Sequence, residues 1–451
     1  MTASSDQRSS TMTNDSTLRP DVLVIGLGAM GSATTYQLAK RGAKVIGIDQ
    51  FSPPHAHGST HGETRITRQG IGEGRQFVPL ALRSHALWRE IERETGRALL
   101  TQCGGLIVAR AGRASHMHEQ SDFFGDTVRT AREFGVTHEL LGVADIEARY
   151  PQLALDGDET GYFEPGAGYL APEACVSAQL ELAVRHGATL HNGERVLAIR
   201  NETGKTVVQT DQRSYTPGTT IVSAGPWLPG LLPQFAPKLV VRRQVLYWFE
   251  TASVAGYGAN EFPIFIWHWG SGPDDVFYGF PHVDGDAGAH AIKIATEQCE
   301  TSTTPEQVNR DVAPEEISTM FEQHIRGRMR GVGARCVKAS TCLYTNAPGA
   351  NFLIDRLPDA PDVIVVSACS GHGFKHSAAI GEAVAIIAFT GEKPESLRPF
   401  SIAAVSLSAL LSSYPVRHPK PQARGHNTMD RLSEICTARR DFFGTNHRFT
   451  D

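Results

Sequence analysis

Gly26-Leu-Gly28-Ala-Met-Gly31 follows the β-branched apolar run Asp21-Val-Leu-Val-Ile25 and opens a helix-forming stretch that runs from Met30 to Gly42. In that setting glycines permit a tight turn and close backbone approach, and the free N–H groups at the helix start receive a pyrophosphate. A second short strand, Lys44 to Ile48, ends in Asp49, 18 residues beyond Gly31, where a carboxylate can accept both hydroxyls of an adenosine ribose. An adenine dinucleotide is the expected ligand, held by Gly26, Gly28, Met30, Gly31 and Asp49. The motif alone does not separate NAD from FAD, because both carry a pyrophosphate and an adenosine ribose.

Other residues have types suited to chemistry. Arg65 and Arg68 stand three apart; a guanidinium offers a carboxylate a two-pronged fork and keeps its charge. By spacing alone they read as surface arginines in a loop. Cys342 lies in Ser340-Thr-Cys-Leu-Tyr344, where a buried free thiol acting as a small hydrophobe is the ordinary alternative. Lys375 closes Cys369-Ser-Gly371-His372-Gly373-Phe374-Lys375 at a strand-to-helix junction, whose N–H groups suit an electron-rich ring edge. His55, His57 and His61 are close together but lack a carboxylate or cysteine partner set, so no metal site is expected.

These residues need elements to hold them. Asp21 to Asp49 reads as a β-α-β unit. Leu80, Leu87, Trp88 and Ile91 share one face of a helix that Gly96 stops. Glu194 to Arg200 and Lys205 to Thr210 form a hairpin, and Thr219 to Ser223 is a strand closed by Ala224-Gly225-Pro226; Val196 and Gly225 join the expected cofactor contacts. Val245 to Phe249 and Asp275 to Phe280 are strand-like, and Val363 to Ser367 leads through Gly371 and Gly373 into a helix from His376 to Phe389.

The 451 residues allow two or three domains. With 43 basic and 48 acidic residues and a net charge of −5, the chain lacks the cationic excess that nucleic acid requires. Seven scattered cysteines without a C-x-x-C pair argue against a disulfide framework and fit a reducing cytosol, so a cytoplasmic protein is expected. Residues 1–19 are Ser/Thr-rich without an apolar core, which argues against a secretory signal and reads as a disordered tail. The best apolar stretch, Ile402 to Leu411, is too short to cross a bilayer, and no membrane association is expected. Residues 412–451, with seven basic against four acidic residues, read as a solvated extension. No G-x-S-x-G elbow or P-loop is present, so hydrolase and nucleotide-kinase readings lack support.

From about Asp21 to Phe400 the chain resembles the monomeric sarcosine oxidase and N-methyl-tryptophan oxidase family of flavoproteins, within the group that holds D-amino-acid oxidase. Three stretches carry the likeness: Ser52-Pro-Pro-His-Ala-His-Gly-Ser59 with His61-Gly-Glu-Thr-Arg65-Ile-Thr-Arg68 and Gly72-Glu73-Gly74; Ser340 to Thr345 with Asn351 to Asp355; and Cys369 to Lys375. The resemblance implies FAD, with Cys342 forming a thioether to the 8α-methyl of the ring, Arg65 against the flavin, and Gly371, His372 and Gly373 on its pyrimidine edge. It implies that Arg68 and Lys375 pair with the substrate carboxylate and that Tyr278 walls the cavity. Lys293 falls on the face where dioxygen reacts, and a fixed ammonium favours the negative charge that oxygen acquires. Two departures stand out. Pro348-Gly349 replaces a common Pro-Asp, and Glu297 stands where sarcosine-type enzymes carry a histidine, four residues after Lys293. A carboxylate there would raise the substrate amine's pKa, unless it turns outward or pairs with a neighbouring cation.

The expected architecture is α/β: a Rossmann-like FAD-binding domain from residues 20–100, 160–235 and 336–405, and a substrate domain on an antiparallel sheet from 101–159 and 236–335. The expected reaction is oxidation of a small N-alkyl amino acid by dioxygen in a monomeric enzyme. A dehydrogenase passing electrons to a carrier and a non-catalytic FAD-binding sensor are the alternatives.

Overall fold

The computed structural model describes residues 17–202, 204–253, 255–285, 290–298 and 301–404. Most of the expected N-terminal tail, the extension 412–451, Cys299 and Cys436 lie outside the described residues, as does the apolar stretch beyond residue 404. Leu18, assigned to the tail from sequence, forms a bridge with Tyr215 and donates its N–H to Ser214 O at 3.1 Å.

Val22–Ile25 is buried at every position, as a central parallel strand covered on both faces must be. It pairs in parallel with Val45–Asp49 on one side and Thr219–Val222 on the other. Thr189–Asn192 and Ala360–Ser367 extend the sheet in parallel, and Leu353–Leu357 closes it antiparallel. On one face pack helices Ala29–Lys40, Val78–Thr95, Pro172–Arg185 and Ser377–Thr390, around a core that includes Val24, Tyr36, Leu80, Leu87, Trp88, Ile91 and Ile380. The small antiparallel sheet of Val196–Glu202, Lys205–Thr210 and Ser214–Tyr215 covers the other face through Val196, Val208 and Tyr215. The expected helix stop holds: Gly96 caps Val78–Thr95 with φ of 69°.

The second sheet has eight strands in the order Val332–Asn346, Val240–Thr251, Ala291–Ala295, Val276–Gly279, Ile264–His268, Gly105–Arg110, Glu159–Glu164 and Glu139–Gly142. Only Gly105–Arg110 and Ile264–His268 pair in parallel. Two boundaries drawn from sequence need correction here. Glu159–Glu164 and Val332–Asn346 fall largely within stretches assigned to the FAD-binding domain, yet both pair in this sheet. Their partners lie far along the chain, and no local pattern reveals them. Among the described residues no helix is long and apolar enough to cross a membrane.

Candidate active site

A cavity of about 680 Å³ runs from the turn after Val22–Ile25 to the face of the eight-stranded sheet. It is lined by Gly26, Gly28, Met30, Asp49, Arg65, Arg68, Val196, Gly225, Tyr278, Lys293, Cys342, Gly371, His372, Gly373 and Lys375, so all but one of the residues expected from sequence to contact cofactor or substrate line it. The exception is Gly31. A side chain there would collide with the Gly26 carbonyl and lie 2.8 Å from Ser223 Oγ, so Gly31 lets the helix start pack on the turn. Gly26 has φ of 85°, and a Cβ there would come within 2.6 Å of Ser223 O.

The residues present fit FAD. Gly28 opens helix Ala29–Lys40 without a side-chain cap, and a Cβ on it would meet only Thr60 Oγ1, at 3.6 Å, leaving an open cradle at a helix N-terminus. Asp49 is buried at the strand end and accepts the N–H groups of Leu27 and Phe51 at 2.8 and 2.9 Å, which fixes its carboxylate beside that cradle. Ser59 Oγ, Thr345 Oγ1, Arg68 Nε and His372 Nδ1 are buried along the same cavity without hydrogen-bond partners, places where a polar ligand would supply them.

Arg65 donates to Thr64 O and Ser59 O, both at 2.9 Å, and its Nη2 lies 3.6 Å from Cys342 Sγ. Burial pushes the Cys342 thiol up, and Arg65 opposes that rise. Lys293 Nζ donates to Gly62 O at 2.7 Å and Thr64 O at 2.6 Å and stands 4.1 Å from the centre of the Phe280 ring. Burial and Arg65 hold its pKa well below that of an ordinary lysine. Tyr278 and Tyr344 face each other across 3.4 Å between their hydroxyls.

Arg68 and Lys375 are brought together by a residue for which sequence reasoning supplied no role. Glu73 accepts from Arg68 at 2.6 Å and from Lys375 at 3.2 Å, with all three side chains almost wholly buried. Burial raises the Glu73 pKa, but Arg68 and Lys375 outweigh it and bring it well below the usual carboxylate range. Burial lowers Lys375 to about 8 despite Glu73. Two cations facing one internal anion leave an excess positive charge for a ligand carboxylate. That charge is complete well below pH 8, half gone near it, and lost above it as Lys375 sheds its proton. Affinity for a thioether carboxylate, which has no titrating nitrogen, is therefore expected to be level below pH about 8 and to weaken above it. Lys375→Arg removes the inflection. Titrations followed by flavin absorbance check this; a flat parent profile from pH ~7 to ~10 contradicts it.

His118 was also missed. It lines the cavity from the loop after Gly105–Arg110 and receives Glu297, whose Oε1 is 2.9 Å from His118 Nδ1 and whose Oε2 accepts the His118 N–H at 2.9 Å. Glu297 thus pairs with a neighbouring imidazole. No sequence signal joins two residues so far apart in the chain.

A Rossmann-like sheet, a glycine cradle with its acidic partner, and a cationic cavity roofed by a second sheet define a flavin-dependent oxidoreductase. Residues 21–386 match the FAD dependent oxidoreductase (DAO) family. The monomeric sarcosine oxidase of Streptomyces avermitilis is 39% identical over 375 residues, covering 82% of this chain and 94% of that protein. The N-methyl-L-tryptophan oxidase of Yersinia pestis is 33% identical over 384 residues, covering 85% and 98%. The chain belongs to the FAD dependent oxidoreductase family, in the branch of the monomeric sarcosine oxidases and N-methyl-L-tryptophan oxidases. Among solved structures, the amino acid oxidase NikD superposes with a TM-score of 0.75 at 23% identity, covering 85% of this chain and 98% of that one. L-proline dehydrogenase from P. horikoshii superposes at 0.68 and 20%, covering 85% and 96%; at these identities the likeness is one of fold.

Proposed function

We propose that the protein is an FAD-dependent oxidase of N-methyl amino acids such as sarcosine or N-methyl-L-tryptophan, converting substrate, water and dioxygen into the demethylated amino acid, formaldehyde and hydrogen peroxide. The observation that carries this reading is the placement of the Arg68–Glu73–Lys375 cluster and Lys293 on one cavity. The relatives named for secondary-amine substrates support the substrate class.

Bound FAD supplies the two-electron acceptor for the carbon beside nitrogen and passes those electrons to dioxygen. The remaining work belongs to the chain. Arg68 and Lys375 bind the substrate carboxylate and fix its orientation, with Glu73 holding the two cations in place while the ligand is absent. Tyr278 and Tyr344 wall the cavity and keep bulk water from the reacting carbon. Lys293, anchored by two carbonyls, presents positive charge where oxygen is reduced. Cys342 is the attachment residue, its sulfur beside the Arg65 guanidinium, which opposes the rise that burial imposes on the thiol pKa. The enzyme acts as a monomer.

Two measurements test this reading. In air, sarcosine or N-methyl-L-tryptophan releases peroxide and formaldehyde in equal amounts, and the corresponding primary amino acids release neither. Acid precipitation leaves the yellow colour on the parent polypeptide and releases it from Cys342→Ser. Colour in the supernatant of the parent rejects the attachment alone; absence of peroxide with every N-methyl amino acid rejects the oxidase reading.

A further inference from the structure

His118 is a non-glycine residue with φ of 49°, a conformation that costs energy and persists where its surroundings impose it. Here the two-residue turn between Met117 and Gln120, in which Glu119 also has a positive φ of 61°, imposes it, and Glu297 binds both the backbone N–H and Nδ1 of His118. A carboxylate accepts only, so Nδ1 carries the hydrogen and the second ring nitrogen, Nε2, presents a lone pair when the ring is neutral. Among the described residues no hydrogen bond reaches Nε2, and the side chain lines the cavity. The ring is 5.2 Å from that of His372, whose Nδ1 is 3.9 Å from Glu73. His118 and Arg68 also share the Phe123 ring, at 6.5 and 4.9 Å. The imidazole therefore lines the same end of the cavity as Arg68 and Lys375, with the Phe123 and His372 rings between them.

We propose that His118, aligned by Glu297, is the base that takes the proton from the substrate ammonium. The proposal rests on the amine-oxidase reading and adds a group to it. An N-methyl amino acid reaches neutral solution with its nitrogen protonated, and only the neutral amine has the lone pair that expels electrons from the neighbouring carbon. The N–H bond of the ammonium breaks, its electron pair stays on nitrogen, and the proton forms a bond to Nε2. The Nδ1–H remains on Glu297, whose negative charge offsets that of the imidazolium. The proton leaves for solvent after product departs. Burial raises the Glu297 pKa, but a charged His118 and its two hydrogen bonds outweigh it, and those two hydrogen bonds still favour the carboxylate when the ring is neutral.

Several other charged or titratable groups face this pair. Glu119 adjoins it, Arg242 and His116 act on its neighbours, Glu73 and Arg68 come from the loop before Val78–Thr95, His268 from strand Ile264–His268, and His372 and Lys375 from the glycine loop. Burial lowers His372 and His268 to about 3, leaving both neutral at working pH. Lys375, at about 8, titrates within the range and is present in parent and variant alike, so the difference between their profiles isolates His118.

The test is the rate of anaerobic flavin reduction by an N-methyl amino acid from pH ~6 to ~10 in the parent, His118→Gln and Glu297→Gln, with thioether-carboxylate binding measured in each. A secondary amine ionises near pH ~10, so without a base the reaction draws on roughly one molecule in a thousand at pH ~7. His118→Gln is expected to slow reduction about 100-fold at pH ~7 and to regain most of the rate by pH ~10, with carboxylate affinity within about threefold of the parent. Glu297→Gln shows the same change of profile at about tenfold. Profiles parallel to the parent, or a loss of carboxylate affinity as large as the loss of rate, overturn the base role and leave the pair as a loop anchor. A parent that no N-methyl amino acid bleaches refutes the underlying reading instead.

Discussion

Lys293→Met slows reoxidation of the reduced enzyme by air about a thousandfold and leaves anaerobic reduction by substrate within about threefold of the parent. The asymmetry follows from position. The ammonium is held by Gly62 O and Thr64 O, which occupy two of its three N–H groups, and it lines the cavity with only 4% of its surface exposed. In such a site a charge acts with little screening on an oxygen molecule that is becoming an anion, and methionine keeps the length of the side chain while removing the charge. Because burial and Arg65 push the Lys293 pKa down, raising the pH removes this charge sooner than it would from an exposed lysine. The parent's reoxidation rate accordingly declines with rising pH, and that of the variant stays level. Stopped-flow mixing of photoreduced enzyme with aerated buffer reads both effects. Fast and equal reoxidation in parent and variant would place oxygen activation elsewhere, and slow and equal reoxidation would favour a dehydrogenase.

The second large effect lies at the carboxylate end. Arg68→Gln weakens binding of a thioether carboxylate on the order of a hundredfold, since truncating one member of a buried charge pair costs about 2–5 kcal/mol. Arg68 is 2% exposed, donates to Gly70 O and Glu73, and retains an unpartnered Nε. Its loss leaves Glu73 balanced by Lys375 alone, so the site changes from net positive to neutral and a ligand carboxylate loses its attraction. Arg68→Lys recovers charge but not the fork, and restores only part of the affinity. Titration of the flavin spectrum gives the dissociation constants, and thermal unfolding of the loaded proteins verifies that they are folded. A shift below about fivefold in Arg68→Gln would remove Arg68 from carboxylate recognition.

The parts of this architecture that the chain encodes locally are legible in the amino-acid sequence alone. The glycine turn, Asp49, the buried face of Leu80, Leu87, Trp88 and Ile91, and the hairpin after Glu194 each depend on neighbours within a few turns or one strand length. Arg65, Arg68, Cys342 and Lys375 emerge through resemblance, because nothing in their spacing separates a cavity arginine from a surface one. What stays hidden is the pairing of distant segments. Glu73 anchors two cations, one of them 302 residues away, and Glu297 reaches 179 residues back to His118. Glu297 is the instructive case: its sequence position suggests a carboxylate facing substrate, whereas the fold turns it onto an imidazole that faces the cavity in its place. The assignment of Glu159–Glu164 fails for the same reason, since the strand's partners, Gly105–Arg110 and Glu139–Gly142, are what give it a sheet.

The most direct test of the central claim is anaerobic titration of the yellow protein with an N-methyl amino acid. Complete bleaching by one equivalent of substrate per flavin, with formaldehyde formed in the same amount and colour returning when air is admitted, is the predicted result. Flavin that stays oxidised with every N-methyl amino acid tried would contradict the account.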